Sequence, residues 1–197
     1  SPYQTLVDYS DKYYGIGFDA PASVIQSLTY KSVARHFGLD NATAYLATKQ
    51  WVTFSLFFVS ALLFFLLSRR VTKDESFSML AALGYLLWPY LLGQSFIDIK
   101  DPPFLFAWLL CFYLSATMAE EYCRTRQFGR ISVCLLAILT GWATSIRLPG
   151  VLLLLQHGIV FLAAWRRVPG HSSDEIRTLG KHLLLFITVA AAFFYLS

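Results

Sequence analysis

The sequence predicts an all-α fold: a polytopic bundle of transmembrane helices. Three observations predict it. Of the 197 residues 56% are hydrophobic and only 14% are charged, whereas soluble domains carry roughly 25% charged residues. Six apolar segments follow one another without the alternation of a half-buried strand. Lysine and arginine collect in every second loop between those segments, as they do in membrane proteins with a fixed orientation.

Residues 1–50 form the most polar part and are expected to be an extracytoplasmic loop with interfacial helices. Its first words, Asp8-Tyr9-Ser10-Asp11-Lys12-Tyr13-Tyr14-Gly15-Ile16-Gly17-Phe18-Asp19, combine carboxylates, aromatics and two glycines. The mouth of an outward-facing pocket has this composition. An ordinary loop with interfacial tyrosines accounts for the same residues. Residues 19–38 then carry Pro21 near the start, Val24, Ile25, Leu28, Val33 and Phe37 at helical spacing, and Gly38 as a stop. This is the pattern of a juxtamembrane amphipathic helix lying on the bilayer. Asp40 is a good N-cap for a second helix that continues into the first span.

The spans are expected over residues 51–68, 77–97, 103–119, 131–146, 149–165 and 183–197. Several fall short of the roughly 20 residues that cross a bilayer unaided. The chain opens on Ser1 in a polar segment and stops inside the sixth apolar segment. It is therefore expected to be an internal piece of a longer protein, lacking a preceding helix and the C-terminal part.

Orientation follows from the loops. Arg69, Arg70 and Lys73, then Arg124, Arg126 and Arg130, then Arg166, Arg167, Arg177 and Lys181 mark one side as cytoplasmic. Residues 166–182 read as a solvated cytoplasmic connector on that side. The turns at 98–104 and 147–150 carry one basic residue each, Lys100 and Arg147, and face outward with residues 1–50. The net charge of +4 does not indicate a nucleic-acid partner, because the basic residues lie between apolar segments and form no continuous stripe.

The outward turns hold the candidate chemistry. Asp98-Ile99-Lys100-Asp101-Pro102-Pro103-Phe104 places three charges and two prolines between apolar runs. Charges at such a depth cost roughly 2.5–3.5 kcal/mol each on insertion scales, so a cluster of them points to function. A solvated Pro-Pro hairpin explains the same residues without chemistry. Arg147 lies between two short apolar segments and is expected to be sunken at the membrane rim. A lipid-linked phosphate suits its bidentate donors, and snorkelling to headgroups is the simpler alternative.

Together, Asp11-Lys12-Tyr13-Tyr14-Gly15, Lys100-Asp101-Pro102-Pro103-Phe104 and Arg147-Leu148-Pro149-Gly150 resemble the GT-C glycosyltransferases, and most nearly the family 39 or protein-mannosyltransferase-like branch. Many members show a tandem acidic pair in the first loop, whereas Asp8 and Asp11 are separated here. The resemblance implies a GT-C-like bundle that moves a sugar from a polyprenyl-phosphate donor to a protein, lipid or glycan acceptor, with inversion, on the extracytoplasmic face of a membrane. A bacterial inner membrane is the expected setting. It implies Asp11, with Asp8 in reserve, as general base. Lys100 and Arg147 would stabilise the departing lipid phosphate, Asp101 would orient Lys100 or the acceptor, and Asp98 would share either role or cap the turn. No cofactor and no metal are expected. Besides the substrates, the partners are membrane lipids. The rival from another class is a transporter, or another lipid-handling protein, binding an anionic solute at the same charges.

Cys111, Cys123 and Cys134 lack ligand spacing and are expected to be unpaired. His36, His157, His171 and His182 are too scattered for a shared metal site.

Overall fold

A helix that starts at the edge of an apolar layer must find acceptors for its first N–H groups, and the start sites of this chain are built around that need. The structure, a computed structural model, describes residues 17–170 and 172–196. Of these, 88% are helical and none lies in a strand. Asp8 and Asp11 lie outside the described residues.

The helices are α1 (Asp19–Phe37), α2 (Asn41–Thr72), α3 (Glu75–Leu86), α4 (Pro89–Ile97), α5 (Asp101–Thr125), α6 (Arg130–Ile146), α7 (Leu152–Arg167) and α8 (Ser173–Leu196). A short 3-10 turn, Leu148–Val151, leads into α7. Four helical stretches are long and apolar enough to cross a membrane: Asn41–Thr72, Asp101–Thr125, Leu148–Arg167 and Ser173–Phe193. The chain is thus a multi-pass membrane protein by the length and composition of its helices. At 17 residues, α6 is shorter, about 26 Å at 1.5 Å per residue.

Residues 77–97 do not form one straight helix. The run is divided between α3 and α4, which are bent by 52° at the break. Pro89 is the cause. It opens α4 at a position where its missing N–H costs nothing, and Trp88 before it is extended, at φ −60° and ψ 116°. The sixth apolar segment also extends further than its apolar residues do. Helix α8 starts at Ser173, because Ser172 and Glu175 form a capping box: Glu175 N–H donates to Ser172 Oγ at 3.2 Å and Ser172 N–H to Glu175 Oε2 at 3.4 Å.

The described chain divides into two compact units, residues 18–113 and residues 114–196 with Gly17. In the first, α2 is the central element, packing against α1, α3 and α4. It has 32 residues, about 48 Å of helix, well beyond a hydrocarbon core of roughly 30 Å. Its N-terminal turns carry α1. Gln26 Nε2 donates to the Tyr45 carbonyl at 2.9 Å, Lys49 pairs with Asp19, and the Tyr30 and Tyr45 rings meet edge to face. The buried residues of α1 are Ala22, Gln26 and Ala34, so it touches α2 through small and amide side chains, while Val24, Ile25 and Leu28 stay exposed.

Further along α2, Leu63 and Leu67 pack on Leu109. Tyr85 stacks on both Phe57 and Phe64, and its hydroxyl meets Ser60 Oγ at 2.7 Å. That contact satisfies the one polar atom of a large, partly buried ring. In the second unit, α6 packs on α8. A separate cluster joins Tyr122 to Ala164 and Val168. Arg126 ties the α7–α8 loop in place by donating to the Pro169 carbonyl at 2.9 Å and the Gly170 carbonyl at 3.2 Å.

The connection from α1 to α2 is the sharpest local signal. Gly38 adopts φ +64°, which only glycine takes without strain, and ends α1. Asp40 then accepts from the Ala42 and Thr43 amides, both at 3.0 Å, and from the Thr43 hydroxyl at 2.5 Å. The Thr43 hydroxyl, with its amide, holds the Asp40 carboxyl below its ordinary range. A carboxylate whose folded value is depressed adds stability above its unfolded value and loses it as pH falls through the folded one. Asp40→Ala at neutral pH, or acidification of the wild type through that window, is therefore expected to speed amide hydrogen exchange in the first turn of α2. Asp40→Asn, which keeps a capping oxygen, is expected to retain protection at neutral pH and to lose the acid response.

Candidate functional site

The charged turn between α4 and α5 is built by its own backbone requirements. Helix α5 begins Asp101-Pro102-Pro103-Phe104. Two of its first residues have no N–H to satisfy. Phe104 N–H already bonds the Lys100 carbonyl at 3.1 Å. The remaining donors are those of Lys100 and Asp101, and Asp98 Oδ1 accepts both, at 2.7 and 3.2 Å. Asp98 therefore caps the helix, one of the two roles its position in the sequence allowed. Pro102 and Pro103 are buried and fix the turn from beneath.

Asp101 occupies the first turn of α5, where a carboxylate is favoured by the helix dipole. It lines a cavity of about 190 Å³ with Phe57, Tyr90, Gln94, Phe104 and Leu105. Asp98 and Lys100 are not among the residues lining it. The cavity is thus an apolar recess with one carboxylate, one amide and one phenol at its edge.

Arg147 belongs to the other unit. It follows the last turn of α6, with its N–H on the Ala143 carbonyl at 3.1 Å and its own carbonyl accepting from Gly150 N–H at 2.9 Å. Extended backbone at φ −145° and ψ 135° turns the chain from α6 into the 3-10 turn. The turn folds back so tightly that a Cβ on Gly150 would lie 2.6 Å from both Thr144 Cα and Thr144 N. No side chain fits there.

A second close approach brings the end of the first loop to the same place. A Cβ on Gly17 would lie 2.0 Å from Ser145 Oγ and 3.0 Å from the Ser145 carbonyl carbon. Trp142 Nε1 donates to the Gly17 carbonyl at 2.8 Å. Gly17 is thereby fixed against the final turn of α6, one turn or less from Arg147. Sequence reasoning missed this anchor. The available signal was Trp142 itself, an indole N–H inside an apolar helix that needs an acceptor.

The structure therefore groups Asp98, Lys100 and Asp101 on one turn, with Asp101 on the cavity, and sets Arg147 beside Gly17. Among the described residues, no three His, Cys, Asp or Glu side chains gather as a metal site would require. No protein-family model, curated protein or solved structure matches this chain.

Two outcomes follow from this geometry. Asp98→Ala is expected to destabilise the start of α5 by about 1 kcal/mol, and Asp98→Asn by less, because the amide oxygen still caps. Gly150→Ala is expected to cost about 1–3 kcal/mol through overpacking. Gly84→Ala, where an added Cβ meets nothing within 4 Å, is expected to be neutral or stabilising. Denaturant titration in mixed micelles measures all four.

Proposed function

We propose that this chain is part of a membrane glycosyltransferase resembling the GT-C enzymes of the family 39 or protein-mannosyltransferase-like branch. It would move a sugar from a polyprenyl-phosphate donor to an acceptor on the extracytoplasmic face, the bacterial inner membrane being the setting. The observation that carries this reading is the anchoring of Gly17 on the final turn of α6. Asp11 precedes Gly17 by six residues, a tether of at most about 20 Å. A tether of that length lets a first-loop carboxylate approach Arg147, as a base and a phosphate-binding cation in such a transfer must.

In this scheme Asp11, or Asp8 in its place, takes the proton of the acceptor hydroxyl as that oxygen attacks the anomeric carbon. The bond from that carbon to the phosphate oxygen breaks, and Arg147 meets the charge left on the polyprenyl phosphate. On the turn between α4 and α5, Asp101 would orient Lys100. Asp98 serves through the turn it caps.

A second reading has one observation in its favour. The break between α3 and α4 gives a bent apolar pair, and broken helices are a feature of solute transporters. Transfer of radiolabelled sugar from a polyprenyl-phosphate donor in membranes separates the two. Wild type is expected to transfer. Asp11→Asn is expected to lose roughly 10²–10⁴-fold of the rate while still binding donor, and Arg147→Ala roughly 10²–10³-fold. Full activity in both variants, or no transfer by wild type across a broad donor panel, would sink the assignment and make solute uptake the next assay.

A further inference from the structure

Away from the charged turns, two recesses of the unit of residues 114–196 share a wall. An apolar groove of about 320 Å³ runs between α5, α6, α7 and α8. A polar cavity of about 710 Å³ lies where α5 ends and where α6 and α8 begin. Phe128, Leu179 and His182 line both.

Helix α8 shows how the chemistry changes along that wall. Its lining residues are Asp174 and Glu175, then Thr178 and Leu179, then His182 and Leu183, then Phe186 and Ile187. The spacing of four keeps them on one face of the helix. From Asp174 to Ile187 that face covers about 20 Å at 1.5 Å per residue. It opens on carboxylates and ends on hydrocarbon. Helix α6 repeats the order, with Arg130 in the polar cavity and Val133 and Leu136 in the groove. A polar solute would leave the apolar part unfilled, and a hydrocarbon would leave the polar part. An amphiphile standing along the helices, its head at their starts, matches both.

The charges select the head. Arg126 is committed to the Pro169 and Gly170 carbonyls and to Glu175 Oε1, the last at 3.6 Å. The side chains of Arg130 and Asp174 have no hydrogen-bond or ion-pair partner among the described residues. Pockets that are basic alone take anionic lipid heads. Here an open cation and an open carboxylate line the same cavity. A singly anionic head would meet Arg130 and be repelled by Asp174. A zwitterionic head meets both, phosphate oxygen to guanidinium and ammonium to carboxylate. A primary ammonium also brings N–H donors that a quaternary one lacks, and Gln127 and Thr178 offer it further oxygen acceptors on the same wall.

We infer that the joined recess is a binding site for phosphatidylethanolamine, with the phosphate on Arg130, the ammonium on Asp174 and an acyl chain in the apolar groove. The inference does not depend on the glycosyltransferase reading.

The test is native mass spectrometry of the full chain, purified in detergent and equilibrated with equal amounts of phosphatidylethanolamine, phosphatidylglycerol and phosphatidylcholine carrying the same acyl chains. Wild type is expected to retain one phosphatidylethanolamine in about fivefold preference to either other lipid, the worth of one charge near the surface. Arg130→Ala is expected to lower retention of phosphatidylethanolamine and phosphatidylglycerol alike, by about fivefold. Asp174→Asn is expected to lower phosphatidylethanolamine alone and so bring it level with phosphatidylglycerol. Gly158 lines the groove, and a Cβ there would meet nothing within 4 Å, so Gly158→Leu fills acyl-chain space and is expected to lower retention of all three lipids. Equal or greater retention of phosphatidylglycerol or phosphatidylcholine by wild type, wild-type retention in both charge variants, or an unchanged adduct in Gly158→Leu would each overturn the proposal. The comparison among lipids needs no variant, so it stands if a variant does not fold.

Discussion

Hydrogen bonding at the helix starts is the constraint on which the rest of this structure depends. In an apolar layer a free N–H has no water to bond, and the starts of α2, α3, α4, α5 and α8 carry an acceptor of their own or a proline with no donor to satisfy. The chain uses both devices. Asp40, Asp74 and the pair Ser172 and Glu175 supply side-chain acceptors at the starts of α2, α3 and α8. Helix α4 starts with Pro89, and α5 combines the devices, with Pro102 and Pro103 removing donors and Asp98 meeting the others. The lengths and directions of the helices follow from where those starts fall. Pro89 bends an apolar run, and the Ser172 cap starts α8 before its apolar stretch.

The second determinant is backbone approach. Gly150 and Gly17 both lie where a side chain would collide with the last turns of α6, and both contacts lie within a few residues of Arg147. At Gly150 the atoms in contact are all backbone and have no rotamers to change, whereas Gly17 meets the Ser145 hydroxyl first and the backbone of Ser145 and Ile146 behind it. The backbone at Arg147 is therefore held on both sides although it lies in a connection between helices.

The sequence made the fold class legible through composition and the length of the apolar runs, and the two best-placed helix signals, Gly38 and Asp40, through their residue types alone. Other features were legible in principle. Ser172-Ser173-Asp174-Glu175 has the spacing of a capping box, yet its charge made it look like a solvated connector. The break at Pro89 was masked because the apolar run continues across it, and hydropathy does not register a missing N–H. The anchor of Gly17 on Trp142 and Ser145 was not legible, because it joins residues 125 positions apart and rests on the absence of a side chain.

The carboxylates of the turn between α4 and α5 show how two aspartates three residues apart are used differently. Asp98 and Asp101 have the same side chain and the same partly buried setting. Asp98 has an oxygen committed to two backbone amides, and moving it would expose the start of α5. Asp101 is the first residue of the same helix and lines, with Gln94, a recess of about 190 Å³. The capping duty at the start of α5 thus falls on Asp98. The two prolines are what make this division possible. By removing two donors from the first turn they reduce the capping requirement to what one aspartate oxygen can meet.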